Sequence, residues 1–107
     1  MQIVYLVLYC ENLEKSRAFY SALGLSFVQE KHDRGPLHWS TDLGGLVLEL
    51  YPRGTRPPSS VRLGWETVST APLKESLLSL GGAPAGIQEK GEVFLLRDPD
   101  GNRLEIL

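Results

Sequence analysis

Apolar positions recur with a period of two along several short stretches of this chain and with a helical period along two others, and each change of period marks an element. Ile3 to Tyr9 is rich in β-branched and aromatic residues and predicts a strand buried on both faces. Leu13, Ser16, Tyr20 and Leu23 then fall on one helical stripe, with Phe19 beside it. Asn12 suits the N-cap of that helix, Glu14 its first turn, and Gly24 a left-handed C-cap. Ser26 to Lys31 predicts a second strand. The polar loop His32-Asp33-Arg34-Gly35-Pro36 leads to a third at Leu37 to Thr41. Asp42-Leu43-Gly44-Gly45 is a hairpin signal, and Leu46 to Tyr51 the return strand.

Pro52 to Ser60 (PRGTRPPSS) has the composition of a linker. Val61 to Val68 predicts a strand, and Pro72 a first helical position before the stripe Leu73, Leu77 and Leu80, which Gly81-Gly82 ends. Ala83 to Gly91 is a loose segment with room for one short strand. Val93 to Arg97 is another strand, Asp98-Pro99-Asp100-Gly101 a tight turn, and Arg103 to Leu107 the last strand. The two halves echo each other. Gly45-Leu46-Val47-Leu48-Glu49-Leu50-Tyr51 recurs as Gly101-Asn102-Arg103-Leu104-Glu105-Ile106-Leu107 at an offset of 56 residues, and Leu23-Gly24 recurs as Leu80-Gly81 at 57. A repeat of this length is a supersecondary unit written twice. The expected architecture is one α+β domain over residues 1–107. It holds two β-α-β-β-β modules, 1–51 and 61–107, joined by the linker 52–60, each sheet covered by helix on one face.

Composition narrows the function classes. A chain of 107 residues supports a single core, and 42% apolar with 22% charged residues is ordinary for a soluble globular protein. The net charge of -2 gives no electrostatic case for nucleic acid or an anionic membrane surface. The apolar run Ile3 to Cys10 falls far short of the roughly 20 residues of a spanning helix. No basic segment precedes it and no small-residue cleavage site follows, so a cytoplasmic location is expected. The single cysteine, Cys10, can form no internal disulfide and reads as an inert buried thiol on the first strand.

Strand alternation then selects candidate site residues. Leu46, Leu48 and Leu50 share the face that meets the helix, while Val47, Glu49 and Tyr51 share the other. Leu104 and Ile106 take the helix face of the last strand, and Glu105 points the opposite way. Both glutamates suit a plain solvent-facing role, but Val47 and Tyr51 flank Glu49, so that face is not simply polar. A two-residue turn at Asp42–Gly45 sets His38 opposite Glu49; a three-residue turn sets Trp39 there instead. His32, in a charged Gly/Pro loop, reads as surface, and Trp39 and Trp65 as core or pocket wall.

On these two modules, Phe19-Tyr20, Leu23-Gly24-Leu25, Leu48-Glu49-Leu50 and the closing Asp98-Pro99-Asp100-Gly101-Asn102-Arg103-Leu104-Glu105 together resemble the vicinal oxygen chelate superfamily. That is the glyoxalase, bleomycin-resistance and extradiol dioxygenase group, and the likeness spans essentially the whole chain. It implies a curled mixed sheet around a cavity, helices on the outer face. In metal-dependent members one ligand lies on the first and one on the last strand of each module. The matching positions here are Tyr5, Glu49, Arg62 and Glu105. The glutamates have ligand chemistry, but Tyr5 stands where His or Gln is expected and Arg62 where His is usual.

Arginine stays protonated, offers a metal no lone pair, repels a divalent ion and pairs readily with carboxylate. At about 4 Å and an effective dielectric near 20 such a pair interacts by roughly 4 kcal/mol. Arg62 is therefore expected to take over part of the metal's role by neutralising Glu49 or Glu105, and no metal or other cofactor is expected. If His38 sits beside Glu49, then His38, Glu49 and Glu105 compose an alternative facial set of one imidazole and two carboxylates. The competing role for His38 is a hydrogen-bonding or proton-transferring group in a metal-free pocket.

The resemblance points first to a metal-independent binding protein similar to the bleomycin-resistance branch. It would hold a small organic ligand, an antibiotic being one candidate, between aromatic walls (Tyr5, Tyr51, Trp39 or Trp65). His38, Glu49, Arg62 and Glu105 are the polar groups of that pocket. The second class is a metal-dependent lyase, isomerase or dioxygenase of the glyoxalase type, with the ion as Lewis acid. The resemblance also implies a homodimer whose cavity is built from both chains or by module swapping, with residues 52–60 as hinge.

Overall fold

The computed structural model describes residues 1–67, 73, 75, 76, 88–90 and 93–107. In chain order the elements are β1 (Tyr5–Cys10), α1 (Leu13–Ala22), β2 (Val28–Glu30), β3 (His38–Asp42), β4 (Val47–Pro52), β5 (Arg62–Trp65), β6 (Gln88–Lys90), β7 (Val93–Arg97) and β8 (Arg103–Ile106). They build two four-stranded sheets, ordered β1-β4-β3-β2 and β5-β8-β7-β6. In each, the first and last strands of the module pair in parallel and the other pairs are antiparallel. Both sheets are thus mixed and share one topology, as the internal repeat predicts. Register repeats too. Glu49 lies between Val7 and Ser40, and Glu105 lies between Gly64 and Leu95, at the equivalent place.

The helix begins and ends where its sequence dictates. The Asn12 side chain accepts from the Lys15 backbone N–H at 3.0 Å, and Glu14 sits in the first turn. At the other end Gly24 adopts φ 97°, donating to the Ser21 carbonyl at 2.9 Å while Leu25 donates to Tyr20 at 3.4 Å. This left-handed closure is open to glycine at little cost. Ser16, Phe19 and Tyr20 form the buried stripe. Phe19 and Tyr20 join Leu8, Cys10, Leu48 and Leu50 from the first sheet and Phe94, Leu96, Leu104 and Ile106 from the second in one core.

The first strand departs from its expectation. β1 is buried on one face only: Leu8 and Cys10 are buried, whereas Tyr5 is 60% exposed. The parallel neighbour β4 carries the same alternation, so the pair has one wet side. In the second module Leu73, Glu75 and Ser76 are helical, and Leu73 packs on the core. Pro72, Leu77, Leu80 and the Gly81-Gly82 stop lie outside the described residues. The short strand foreseen between Ala83 and Gly91 is β6.

The closing Asp-Pro-Asp-Gly-Asn turn joins the modules. Tyr20 donates its hydroxyl to the Asp98 carboxylate at 2.7 Å, and Asp98 also accepts from the Asn102 side-chain amide at 2.8 Å and from the backbone N–H groups of Asp100 and Asn102 at 2.9 Å. Asp100 in turn accepts from the Glu11 N–H at 2.8 Å and the Ser16 hydroxyl at 3.2 Å. Asn102 Oδ1 accepts from the Val61 N–H at 3.0 Å, tying the turn to the start of β5. Gly101, at φ 87°, closes the turn onto the Asp98 carbonyl at 3.0 Å.

Two outcomes follow. Tyr20→Phe keeps the ring but strips one donor from a buried carboxylate, so stability falls by about 1–3 kcal/mol, measured as a lower urea midpoint at unchanged m. Burial, reinforced by the charges of Asp100 and Asp98 and only partly offset by the Ser16 hydroxyl, pushes the Cys10 thiol up to about 11 from 9.0. Native protein at about pH 8 therefore resists iodoacetamide while urea-unfolded protein is alkylated, as mass spectrometry reads directly. Because the folded value is the higher one, this thiol's contribution to stability is complete below its unfolded value and disappears as pH rises through about 11.

Candidate functional site

The face of the first sheet turned away from α1 gathers Tyr5 and Tyr9 from β1, Glu49 and Tyr51 from β4, His38 from β3 and Glu30 from β2. The β3–β4 turn fixes how they meet, and it matches neither length considered above. Residues 43–46 form it, with the Leu43 N–H donating to the Leu46 carbonyl at 2.8 Å. The Asp42 carboxylate accepts from the N–H groups of Gly44 at 2.8 Å and Gly45 at 3.2 Å, and both glycines hold positive φ. Ser40, not His38 or Trp39, is therefore the partner of Glu49. The register differs from the two-residue case by two positions, which preserves the face. His38 and Glu49 consequently meet on the diagonal, Nε2 to Oε2 at 3.4 Å.

His38 is only 1% exposed although it lies on the open face. The Tyr51 ring stacks on it at 4.1 Å between centroids and 11° between planes, and the His32 ring lies 5.1 Å away. Its Nδ1 is 3.1 Å from the Pro36 carbonyl, so Nδ1 carries a proton and donates, directing Nε2 toward the Tyr51 hydroxyl at 3.4 Å, Glu49 and Glu30. The stack continues outward. Tyr9 meets Tyr51 edge-on at 6.3 Å, and the Arg56 guanidinium covers Tyr9 at 4.4 Å. Desolvation first, then the neighbouring Glu49 charge, raises the Tyr51 phenol above its usual 10.0, so it is a neutral donor at physiological pH.

The second sheet carries the opposite charge. Its open face holds a shallow pocket of about 330 Å³ lined by Arg62, Leu95, Arg97, Arg103 and Glu105, among others. Arg62, 67% exposed at its side chain, forms an ion pair with Glu105. Of the two carboxylates considered for Arg62, it is Glu105 that it meets; Glu49 is engaged by His38 and Tyr51. Glu105 does not join His38 and Glu49, so that facial set is not assembled. A fixed guanidinium bonded to one of only two ligand-type residues leaves Tyr5, Glu49, Arg62 and Glu105 a poor fit for a divalent ion.

Among the described residues, Trp39 and Trp65 do not stand on these open faces. They lie on the helix side, Trp39 under the Arg17 guanidinium at 5.2 Å and Trp65 6.2 Å from the Tyr20 ring. The open-face aromatics are tyrosines. Two members of the face, Tyr9 and Glu30, and the carboxylate neighbour of His32 were missed from sequence. Tyr9 shares the parity of Tyr5, and Glu30 pairs directly with His38 across β2–β3, so alternation and hairpin pairing contained both. His32, expected to be surface, is indeed exposed, but its Nε2 lies 3.1 Å from the Glu30 carboxylate.

Solved structures share this fold. TnmS3, an antibiotic binding protein from Streptomyces sp. CB03234, superposes with a TM-score of 0.73 at 20% identity, covering 99% of this chain and 93% of that one. TioX from Micromonospora sp. ML1 gives 0.72 at 13% identity, with 99% and 97% covered. A lactoylglutathione lyase from Agrobacterium tumefaciens gives 0.65 at 19% identity, with 98% and 91% covered. No curated protein matches the chain. The family model of the Glyoxalase/Bleomycin resistance protein/Dioxygenase superfamily matches residues 2–106. With two four-stranded sheets of the same strand order and register, the chain belongs to that superfamily.

Proposed function

We propose that this chain is a metal-independent small-molecule-binding protein of the bleomycin-resistance type. The observation that carries the reading is the Arg62–Glu105 ion pair, which supplies a fixed positive charge where metal-dependent members of the superfamily place an ion. Tyr5, Tyr9 and Tyr51 offer flat apolar surfaces for a planar ligand, with His38, Glu49, Arg62 and Glu105 as polar anchors. TnmS3 being an antibiotic binding protein makes antibiotics the first ligands to try.

The functional unit of this reading is a homodimer. In one chain the aromatic, carboxylate-bearing face of the first sheet and the arginine-bearing face of the second are both open. Apposed in trans, they are complementary in charge and enclose a cavity between two copies. Ile3, Val4, Val28 and Leu37 are exposed apolar residues on and beside the first sheet that such pairing would cover.

Two measurements test this. Sedimentation equilibrium gives twice the 11.9 kDa of one chain; a monomer at all concentrations rejects the shared cavity. Calorimetric titration with planar aromatic antibiotics in the presence of a chelator gives saturable binding. Tyr51→Ala weakens that binding by on the order of 1 kcal/mol or more through the lost ring contact. Ligand binding that appears only with an added divalent ion, and is lost in Glu105→Gln, moves the protein to the metal-dependent glyoxalase class.

A further inference from the structure

Both histidines of the chain, His32 and His38, converge on one carboxylate, Glu30, on the outer side of the Glu49 face. The ligand-type atoms of Glu30, His32 and His38 all lie within 4.8 Å of one another. Glu30 Oε2 is 3.1 Å from His32 Nε2 and 3.8 Å from His38 Nε2, and Glu49 Oε2 is 3.4 Å from the same His38 nitrogen. Bonds of about 2.0–2.1 Å to a tetrahedral ion place its ligands roughly 3.4 Å apart, and these three carboxylate–imidazole distances lie within about 0.4 Å of that spacing.

The orientation of His38 is the second observation. Its Nδ1–H is held by the Pro36 carbonyl at 3.1 Å, which directs Nε2 inward, the arrangement in which a backbone acceptor fixes a metal-binding imidazole. That nitrogen faces two carboxylates in a site where the ring is 1% exposed. Two carboxylates converging on one imidazole nitrogen are balanced by a cation between them, a proton or a metal ion. No arginine or lysine pairs with Glu30 or Glu49 among the described residues. In the second sheet, by contrast, Arg62 meets Glu105. The exposed His32 ring leaves a path for an ion to enter from solvent.

We propose that Glu30, His32 and His38 form a binding site for a first-row divalent transition metal of the zinc class, with Glu49 as a fourth donor on the cavity side. Two imidazoles with carboxylate oxygen suit zinc, cobalt or ferrous iron rather than calcium or magnesium. Its three primary ligands lie on β2, β3 and the loop between them, it shares only Glu49 with the superfamily's four ligand positions, and it stands whether or not the pocket binds antibiotics. Bound there, the ion draws the loop 31–37 onto the sheet edge and holds Glu49 and the Tyr51 ring in place beside it.

Untagged protein is stripped with chelator and titrated with Zn²⁺ and with Co²⁺. The expected result is one ion per chain and, for Co²⁺, the intense visible d–d absorption of a low-coordinate nitrogen–oxygen site. His32→Ala, a change at an exposed side chain that leaves the core intact, weakens binding at least about tenfold, as does Glu30→Gln. Circular dichroism confirms that both variants are folded. No stoichiometric binding, with only a shared proton between His38 and the carboxylates, overturns the proposal. So does binding that survives His32→Ala and Glu30→Gln but is lost in Glu105→Gln, since that places the ion at the superfamily position.

Discussion

The buried carboxylate of Asp98 is the constraint on which the rest of the molecule depends. It is 6% exposed and accepts from a tyrosine hydroxyl, an amide side chain and two backbone N–H groups. A buried charge persists only when its lone pairs are met. Here three of the four donors lie within the turn and the fourth, Tyr20, comes from the opposite module. Meeting the charge therefore docks the helix of the first half onto the last hairpin of the second. Asp100 repeats the device one step away through Glu11 and Ser16.

Because α1 and the Asp98 turn consume the inner faces of both sheets, the outer faces are released from packing. Strand alternation divides the labour: Leu48, Leu50, Leu104 and Ile106 hold the core, while Glu49, Tyr51 and Glu105 between and beyond them take the opposite face. The same repeat that makes the two sheets alike in register lets their outer faces differ in charge. One presents carboxylates and tyrosines, the other a group of arginines.

Most of the architecture was legible because it rests on periodicity. The modules, the caps at Asn12 and Gly24, and the outward direction of Glu49 and Glu105 all follow from spacing and residue type. The pairing of Glu49 was not legible. The turn centres on Gly44-Gly45, one residue later than the two-residue case, and Asp42 folds its carboxylate back onto those two glycine N–H groups, a side-chain event no alternation records. The face of His38 survived the error since the slip was an even number of residues. The carboxylate neighbour of His32 was missed for a different reason. Loop composition reports exposure, and His32 is exposed, but it does not report which neighbours a hairpin brings back. Burial of β1 on both faces failed since an unbroken apolar run records the hydrophobicity of both sides without saying that each is covered in one chain.

The Arg62–Glu105 pair has a consequence for discrimination. Exposed ion pairs contribute only about 0–1 kcal/mol, so this one can be exchanged at small cost. Under the proposed role, a ligand bearing an acidic group takes the guanidinium, and one bearing a basic group takes the carboxylate. Either exchange leaves the mouth of the pocket electrically balanced except for one displaced partner still in contact with water. The pair therefore filters weakly by charge and leaves selection to shape, a property suited to a protein that meets variable aromatic scaffolds.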